Sequence, residues 1–272
     1  MWKYAALISY SGTRYCGWQR QSGSAAEGGP SIQETIEKAV ESITMERIAL
    51  VGSGRTDSGV HAVGQVAHFI LNKQWDPGVL HRAMNSRLRN EVPDIQVLAV
   101  QPVSHEFHAQ QSADKKQYSY YFQQGPCALP HLEPFSWWIH RRLDRAAMQR
   151  ALDKLQGEHD FKPFQAAGSK PGPTVRMIFE AEIHWEALRI PESLDVVGGI
   201  PLGFVRIRLV GSGFLKQMVR GIAGTLLEVG EGRRAPESID EILTTQNRRK
   251  VGPTAPARAL WLEKVWYSGL QW

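Results

Sequence analysis

At 272 residues the chain can bury a substantial core and stands near the size at which one core divides, so two domains are expected. A net charge of +5 suits an acidic partner, nucleic acid above all, and equally a mildly basic enzyme. Two cysteines far apart, Cys16 and Cys127, without a C-x-x-C, exclude a disulfide framework and a zinc ribbon; with no export signal and no apolar run of about 18 residues, the expectation is a soluble protein of the reducing cytoplasm.

Residues 2–10 read as a strand, followed by a long polar loop over residues 11–30. Ser31 with Glu34 makes a capping box, and Ile32, Ile36, Ala39, Val40 and Ile43 fall on one face, which predicts a helix. Strands over residues 47–51 and 65–71, a helix over 77–89 and a strand over 95–103 complete the order βαββαβ. That order packs two helices on one face of an antiparallel sheet, the ferredoxin-like arrangement. The second half repeats the plan more loosely: a helix over 144–156, strands over 175–185 and 203–210, a helix over 214–229 and a strand over 260–267. Leu50-Val-Gly-Ser-Gly54 recurs as Leu209-Val-Gly-Ser-Gly213, each copy ending a strand. The expected class is therefore α+β: two pseudo-symmetric ferredoxin-like (RRM-like) domains with antiparallel sheets, residues 1–112 and 113–272, with the cleft between them as the default catalytic site.

The densest chemistry lies in Val51-Gly-Ser-Gly-Arg-Thr-Asp-Ser-Gly-Val-His61, a glycine-rich loop behind the apolar run Ile48-Ala-Leu-Val51. Gly54 and Gly59 have the spacing of a phosphate-cradling loop, but Val60 and His61 stand where a Walker loop carries Lys and Ser or Thr. A dinucleotide fingerprint fails as well, because Asp57 stands where its third glycine belongs and would repel a pyrophosphate. The loop suits a working carboxylate. Loop aspartates commonly bond their own backbone in an Asx-turn; against that reading stand Arg55 two residues away, His61 four residues on, and apolar sequence on both sides, which predict a half-buried Asp57.

In Lys115-Lys-Gln-Tyr-Ser-Tyr-Tyr-Phe122, Tyr118 and Tyr120 share one strand face and Ser119 and Tyr121 the other. They suit ordinary strand packing and, beside lysines, a stacking surface for RNA bases. In the helix from Phe214, the residues Leu215, Val219, Ile222 and Leu226 form an apolar stripe, with Lys216, Gln217, Arg220 and Gly224 along an adjoining edge. Arg220 thus sits beside a core face near the helix middle, either a surface arginine or the partner of a buried carboxylate, for which its planar fork is better suited than an ammonium. His105-Glu-Phe-His108 lacks the i, i+4 spacing of a zinc-binding helix and reads as structural. The basic clusters Arg141-Arg142, Arg233-Arg234 and Arg248-Arg249-Lys250 are expected to meet phosphates and to make RNA affinity steeply salt-dependent.

Gly54-Arg-Thr-Asp-Ser-Gly-Val-His-Ala62, followed by Gly64-Gln-Val-Ala-His-Phe69, closely resembles the signature of the TruA family of tRNA pseudouridine synthases. Gly17-Trp-Gln-Arg20, Ser31-Ile-Gln33, Lys116-Gln-Tyr-Ser-Tyr120, His159-Asp-Phe161, Phe214-Leu-Lys-Gln-Met-Val-Arg220, and Thr254-Ala-Pro-Ala257 with Ala259-Leu-Trp-Leu262 extend the likeness over nearly the whole chain. Ser58 stands where alanine is frequent, Ala259 where glycine is usual, and the stretch from Ser22 to Gly29 has no clear counterpart and bears on how RNA is held. The resemblance implies conversion of uridine to pseudouridine in the tRNA anticodon stem-loop, at positions 38 to 40, on a flipped base. It implies no metal, nucleotide or redox cofactor, tRNA as partner, and a cytoplasmic homodimer. By resemblance Asp57 is the nucleophile, adding either to the ribose anomeric carbon or to the uracil ring, and Arg220 pairs with its carboxylate. Arg55 enters the RNA where the target leaves, Tyr118 stacks on the flipped base and helps remove the C5 proton, and Leu260 packs beneath the base. Two rivals remain: a non-catalytic RNA-binding module on the same units, and a P-loop nucleotide enzyme.

Overall fold

In the computed structural model, which describes residues 1–20, 29–188 and 202–272, the chain packs as two units: Met1–Lys116 with Trp261–Trp272, and Gln117–Leu260. The expected role of the insertion-like stretch falls on residues 22–28, outside the described residues. Each unit is a mixed α+β assembly.

In the first unit, β1 (Trp2–Tyr10) lies between antiparallel β3 (His61–Leu71) and β4 (Ile95–Pro102). The other edge of β3 takes two partners. Val51 of β2 (Val51–Gly52) stands antiparallel opposite His68, and Trp261 of β10 (Leu260–Trp266) stands parallel opposite His61. The helices α1 (Ile32–Thr44) and α2 (Pro77–Glu91) form where their start signals are. The Ser31 hydroxyl accepts the Glu34 amide at 3.1 Å, and the Asp76 carboxylate accepts the Val79 amide at 2.8 Å with Pro77 at the first helical position. The Glu34 carboxylate itself pairs with Lys38 at 2.8 Å. Ile32, Ile36, Ala39 and Val40 of α1 and Leu80, Met84 and Leu88 of α2 are buried, at the spacing of one helix face. Tyr4 and Phe69, directly opposite across β1 and β3, stack at 5.9 Å. At the sheet's β4 edge the Asn85 amide donates to the Val97 carbonyl at 2.7 Å and accepts the Val97 amide at 2.9 Å, so one side chain stands in for a strand neighbour.

In the second unit the strand order is β5-β9-β8-β7: β5 (Lys115–Gln124), β9 (Gly203–Gly211), β8 (Val175–Ala187) and β7 (Gly157–Asp160). A short β6 (Trp137–Ile139) runs parallel to β5. The helix α3 (Arg145–Asp153), capped by Asp144, packs on β8 and on α4 (Met218–Gly230); α5 (Ser238–Thr245) follows. Val205, Ile207 and Leu209 are buried at alternate positions of β9, and Met148 and Leu152 of α3 and Ile222 and Leu226 of α4 are buried as well.

Three expectations shift. The strand over residues 47–51 is only the two-residue β2, and the strand expected from residue 65 begins at His61, because β3 is buried at nearly every position and no polar alternation marks its start. The helix expected from Phe214 begins at Met218: Gln217 adopts φ 62°, a left-handed turn that ends the irregular entry, while the apolar period of Leu215 and Val219 runs through it unbroken. Arg220 therefore lies in the first helical turn, not near the helix middle. The C-terminal strand β10 pairs parallel with β3, and Trp261–Trp272 groups with the first unit. Among the described residues no helix is long and apolar enough to cross a membrane.

Candidate active site

The Asp57 loop runs from β2 to β3, and its backbone is tied down residue by residue. The Ser53 amide donates to the Val66 carbonyl at 2.7 Å, and the Ser53 carbonyl accepts the Lys116 ammonium at 2.5 Å. The Gln65 amide group donates to the Gly54 carbonyl at 2.9 Å, the Trp18 amide to the Thr56 carbonyl at 3.1 Å, and the Val60 amide to the Asp57 carbonyl at 3.1 Å. Ser58, where alanine is frequent in the resembling family, adds a hydroxyl bond to the Tyr15 carbonyl at 3.0 Å. Arg55 is exposed and Asp57 half-buried on the loop so formed.

Beneath the loop lie the N-terminal blocks. Gly17 has φ 110°, and a side-chain carbon there would stand 2.7 Å from the Thr56 carbonyl oxygen, so only glycine permits this approach. The Ile32 and Gln33 amides donate to the Gly17 and Trp18 carbonyls at 3.1 and 2.9 Å, which joins the start of α1 to the same platform. The Glu37 carboxylate accepts both the Leu50 amide and the Gln33 side chain at 2.9 Å, fixing the chain where it enters β2. His61, fully buried, accepts the Gly12 amide at 3.2 Å through Nδ1 and stacks on Trp261 at 4.4 Å, a structural post at the loop's far end.

The remaining nominated residues belong to the second unit. Tyr118 is buried in β5 with its ring edge-on to Phe214 at 5.0 Å. Arg220 and Ala255 bond reciprocally: Nε of Arg220 donates to the Ala255 carbonyl at 2.7 Å, and the Ala255 amide donates to the Arg220 carbonyl at 3.1 Å. The next residue, Pro256, accepts the Tyr120 hydroxyl at 2.9 Å. Burial pushes the Tyr120 phenol well above its usual range, with Arg220 and Arg258 opposing, so it stays a donor. The segment before Ala255 lies directly on α4: a side-chain carbon at Gly224 would fall 1.7 Å from the Pro253 carbonyl oxygen, and the Gly252 amide donates to Thr225 Oγ1 at 2.9 Å. Leu260 is buried at the start of β10, behind a 3-10 turn over Ala257–Ala259. Ala259 has no left-handed backbone, so alanine fits where glycine is usual.

Sequence reasoning did not single out Tyr10, Ser53, Thr56 or Gln65 as site residues, although three of them lie within or beside the signature. Their partners are distant in the chain, and no local pattern announces such a bond. Lys116, read as a cation facing RNA, turns its ammonium onto the Ser53 carbonyl. Of the basic clusters, Arg233 pairs with Glu231 and Glu228, Arg234 with Glu228 at 2.7 Å, and Lys250 with Glu241; Arg248, Arg249, Arg141 and Arg142 are exposed.

A carboxylate and an arginine displayed on a loop whose backbone is tied at Ser53, Gly54, Thr56 and Asp57 suit catalysis, which rewards a reacting group held in place before the substrate arrives. Residues 6–110 and 151–268 match the family model described as tRNA pseudouridine synthase. The chain is 38% identical to tRNA pseudouridine synthase A of Bdellovibrio bacteriovorus and 37% identical to that of Allorhizobium ampelinum, in both cases over 97% of this chain and 95% of the relative. It is 36% identical to that of Sinorhizobium fredii, over 97% of this chain and 99% of the relative. The chain belongs to the tRNA pseudouridine synthase family, whose members are isomerases. Arg55, Asp57, Arg220 and Leu260 lie in the matched stretches, and Tyr118 lies between them.

Proposed function

We propose that the chain isomerises uridine to pseudouridine in the anticodon stem-loop of tRNA, at positions 38 to 40, with Asp57 as nucleophile on a flipped base. The observation that carries this reading is the signature loop itself, tied at Ser53, Gly54, Thr56 and Asp57 while it presents a half-buried carboxylate beside an exposed arginine. The reaction breaks the bond from C1′ to N1, turns the uracil and joins C1′ to C5; C5 gives up its proton and N1 ends protonated. Atoms and electrons balance within substrate and solvent. Asp57 adds either to the ribose anomeric carbon or to the uracil ring.

Family resemblance supports the other roles. Arg55 enters the RNA stack where the target leaves and offsets part of an unstacking cost of about a few kcal/mol. Tyr118 stacks on the extruded base and takes part in removing the C5 proton, Leu260 packs beneath the base, and the Arg220 guanidinium pairs with the Asp57 carboxylate, a charge-assisted bond of the stronger kind. The first unit's order β4-β1-β3-β2 with α1 and α2 in the crossovers supports a ferredoxin-like domain. In chain order β5, α3, β8, β9, α4 and β10 repeat the sequence of elements, which supports a pseudo-two-fold plan over residues 1–112 and 113–272. A homodimer working in the cytoplasm completes the reading; light scattering of the purified chain tests the first part.

The deciding experiment is release of tritium from C5-labelled uridine in tRNA by the wild-type chain and by Asp57→Asn. The variant is expected to bind tRNA and release nothing, and retained turnover refutes the assignment. A non-catalytic RNA-binding module would release no tritium even as wild type, and a P-loop enzyme would bind ATP.

A further inference from the structure

We infer that Gln65, Tyr10 and Thr56 form a buried positioning network that sets the Asp57 loop for the chemical step and not for RNA affinity. The inference rests on Asp57 being the nucleophile. Gln65 is fully buried in β3, where an amide costs free energy unless both its ends are bonded. Both ends are used on the loop: Oε1 accepts the Ser53 hydroxyl at 2.6 Å, and Nε2 donates to the Gly54 carbonyl at 2.9 Å. On the other side of Arg55, the Tyr10 and Thr56 hydroxyls meet at 2.8 Å, with Tyr10 3% and Thr56 6% exposed. Burial pushes the Tyr10 phenol up to about 12, with Thr56 and Gln65 drawing it partly back, so the hydroxyl keeps its proton at every pH at which RNA is stable.

Gly54 and Thr56, the residues on either side of Arg55, are thus each held by a dry polar contact anchored in the sheet, and Asp57 follows directly on Thr56. Gln65, Ser53, Tyr10 and Thr56 are all buried, so the network acts through the placement of the carboxylate. A displacement of about 1 Å at a reacting group costs on the order of a hundredfold in rate. An amide is needed at residue 65 because it alone donates and accepts at once at that length; an ionised carboxylate of the same shape has no proton for the Gly54 carbonyl.

Tyr10→Phe removes one hydroxyl, and Thr56→Val removes the other at nearly constant shape. Both are expected to slow single-turnover tritium release roughly 10- to 100-fold, with the dissociation constant for tRNA within about twofold of wild type. Thr56→Ser, which keeps the hydroxyl, is expected to restore the rate to within a few-fold. Gln65→Glu is expected to show the same split between rate and affinity. Should it fail to fold, the two hydroxyl variants decide the matter. Wild-type rates in both, losses that track affinity or melting temperature, or failure of Thr56→Ser to restore the rate would each overturn the inference. Asp57→Asn runs in parallel: if it turns over, the nucleophile assignment falls and takes this inference with it, whereas a dead Asp57→Asn beside fully active Tyr10→Phe and Thr56→Val removes the positioning role alone.

Discussion

Arg220 and Ala255 hold one another by two hydrogen bonds of opposite sense, side chain to carbonyl at 2.7 Å and amide to carbonyl at 3.1 Å. Because the anchor is Nε, the direction of the guanidinium plane is set before any substrate arrives. Lysine keeps the charge but has neither the Nε donor nor the fork. Arg220→Lys is therefore expected to fold and bind tRNA within a few-fold of wild type while the single-turnover rate falls on the order of a hundredfold. A rate within twofold of wild type would show that orientation does not matter. Gly224→Ala should produce a similar loss with a lower melting temperature, by about 1–3 kcal/mol of stability, since its new carbon would displace the Pro253 carbonyl.

Tyr118 rests edge-on against Phe214, and that contact uses the ring and not the hydroxyl. Tyr118→Phe keeps that ring contact and is expected to bind tRNA within a few-fold of wild type while tritium release slows by roughly 10²- to 10⁴-fold, the scale of a lost proton-transfer group. Tyr118→Ala should in addition weaken binding by about 1–3 kcal/mol through lost stacking. Normal turnover in the phenylalanine variant would confine Tyr118 to packing.

The salt dependence of binding should follow the exposed arginines. Replacing Arg248 and Arg249 by Gln is expected to lower the slope of log K against log salt by about 0.9 for each duplex phosphate contact removed. Arg233→Gln should leave the slope unchanged, since its charge is spent on Glu231 and Glu228. Arg234 bonds Glu228 through two nitrogens, at 2.7 and 3.0 Å, and the Lys250 carbonyl at 2.7 Å, so Arg234→Gln should cost on the order of 1–3 kcal/mol of stability. Filter binding over a range of salt and thermal melts separate the two outcomes; equal slopes for the Arg248/Arg249 pair and for Arg233 would contradict the assignment.

Acid should weaken the first unit through His68. Its Nδ1 accepts the Ala109 amide at 3.1 Å, and the Ala109 carbonyl accepts the Tyr267 hydroxyl at 2.6 Å, so the neutral ring ties the residues after β4 to the C-terminal strand. Burial first, then Lys3 and His108, hold the imidazole down to about 4, against 6.5 for an ordinary histidine. The unfolded chain therefore takes up its proton first as pH falls. The stability contribution is whole above pH 6.5 and declines through the window from 6.5 to about 4, by on the order of 2 kcal/mol. Asn at this position keeps an acceptor and does not titrate, so urea melts of His68→Asn should lose less stability than wild type between pH 7 and 4. Parallel pH dependences would exclude His68 as the cause.

The parts of this protein legible in its sequence are those whose causes are local. Ser31 with Glu34 announces α1 because a helix cap acts over three residues. The run from Gly54 to His61 announces a carboxylate loop because glycine, arginine and aspartate carry their chemistry wherever they stand. The start of α4 escaped because the left-handed turn at Gln217 leaves the apolar period undisturbed, and the parallel seat of β10 beside β3 escaped because strand pairing has no sequence range. What the tertiary structure alone decided is how the candidate site is held: Thr56 beside Asp57 by a tyrosine 46 residues away, and Arg220 by a carbonyl 35 residues away. Composition and spacing select which side chains are present, but a hydrogen bond forms between whichever groups folding brings within about 3 Å, and that closeness belongs to the packed chain.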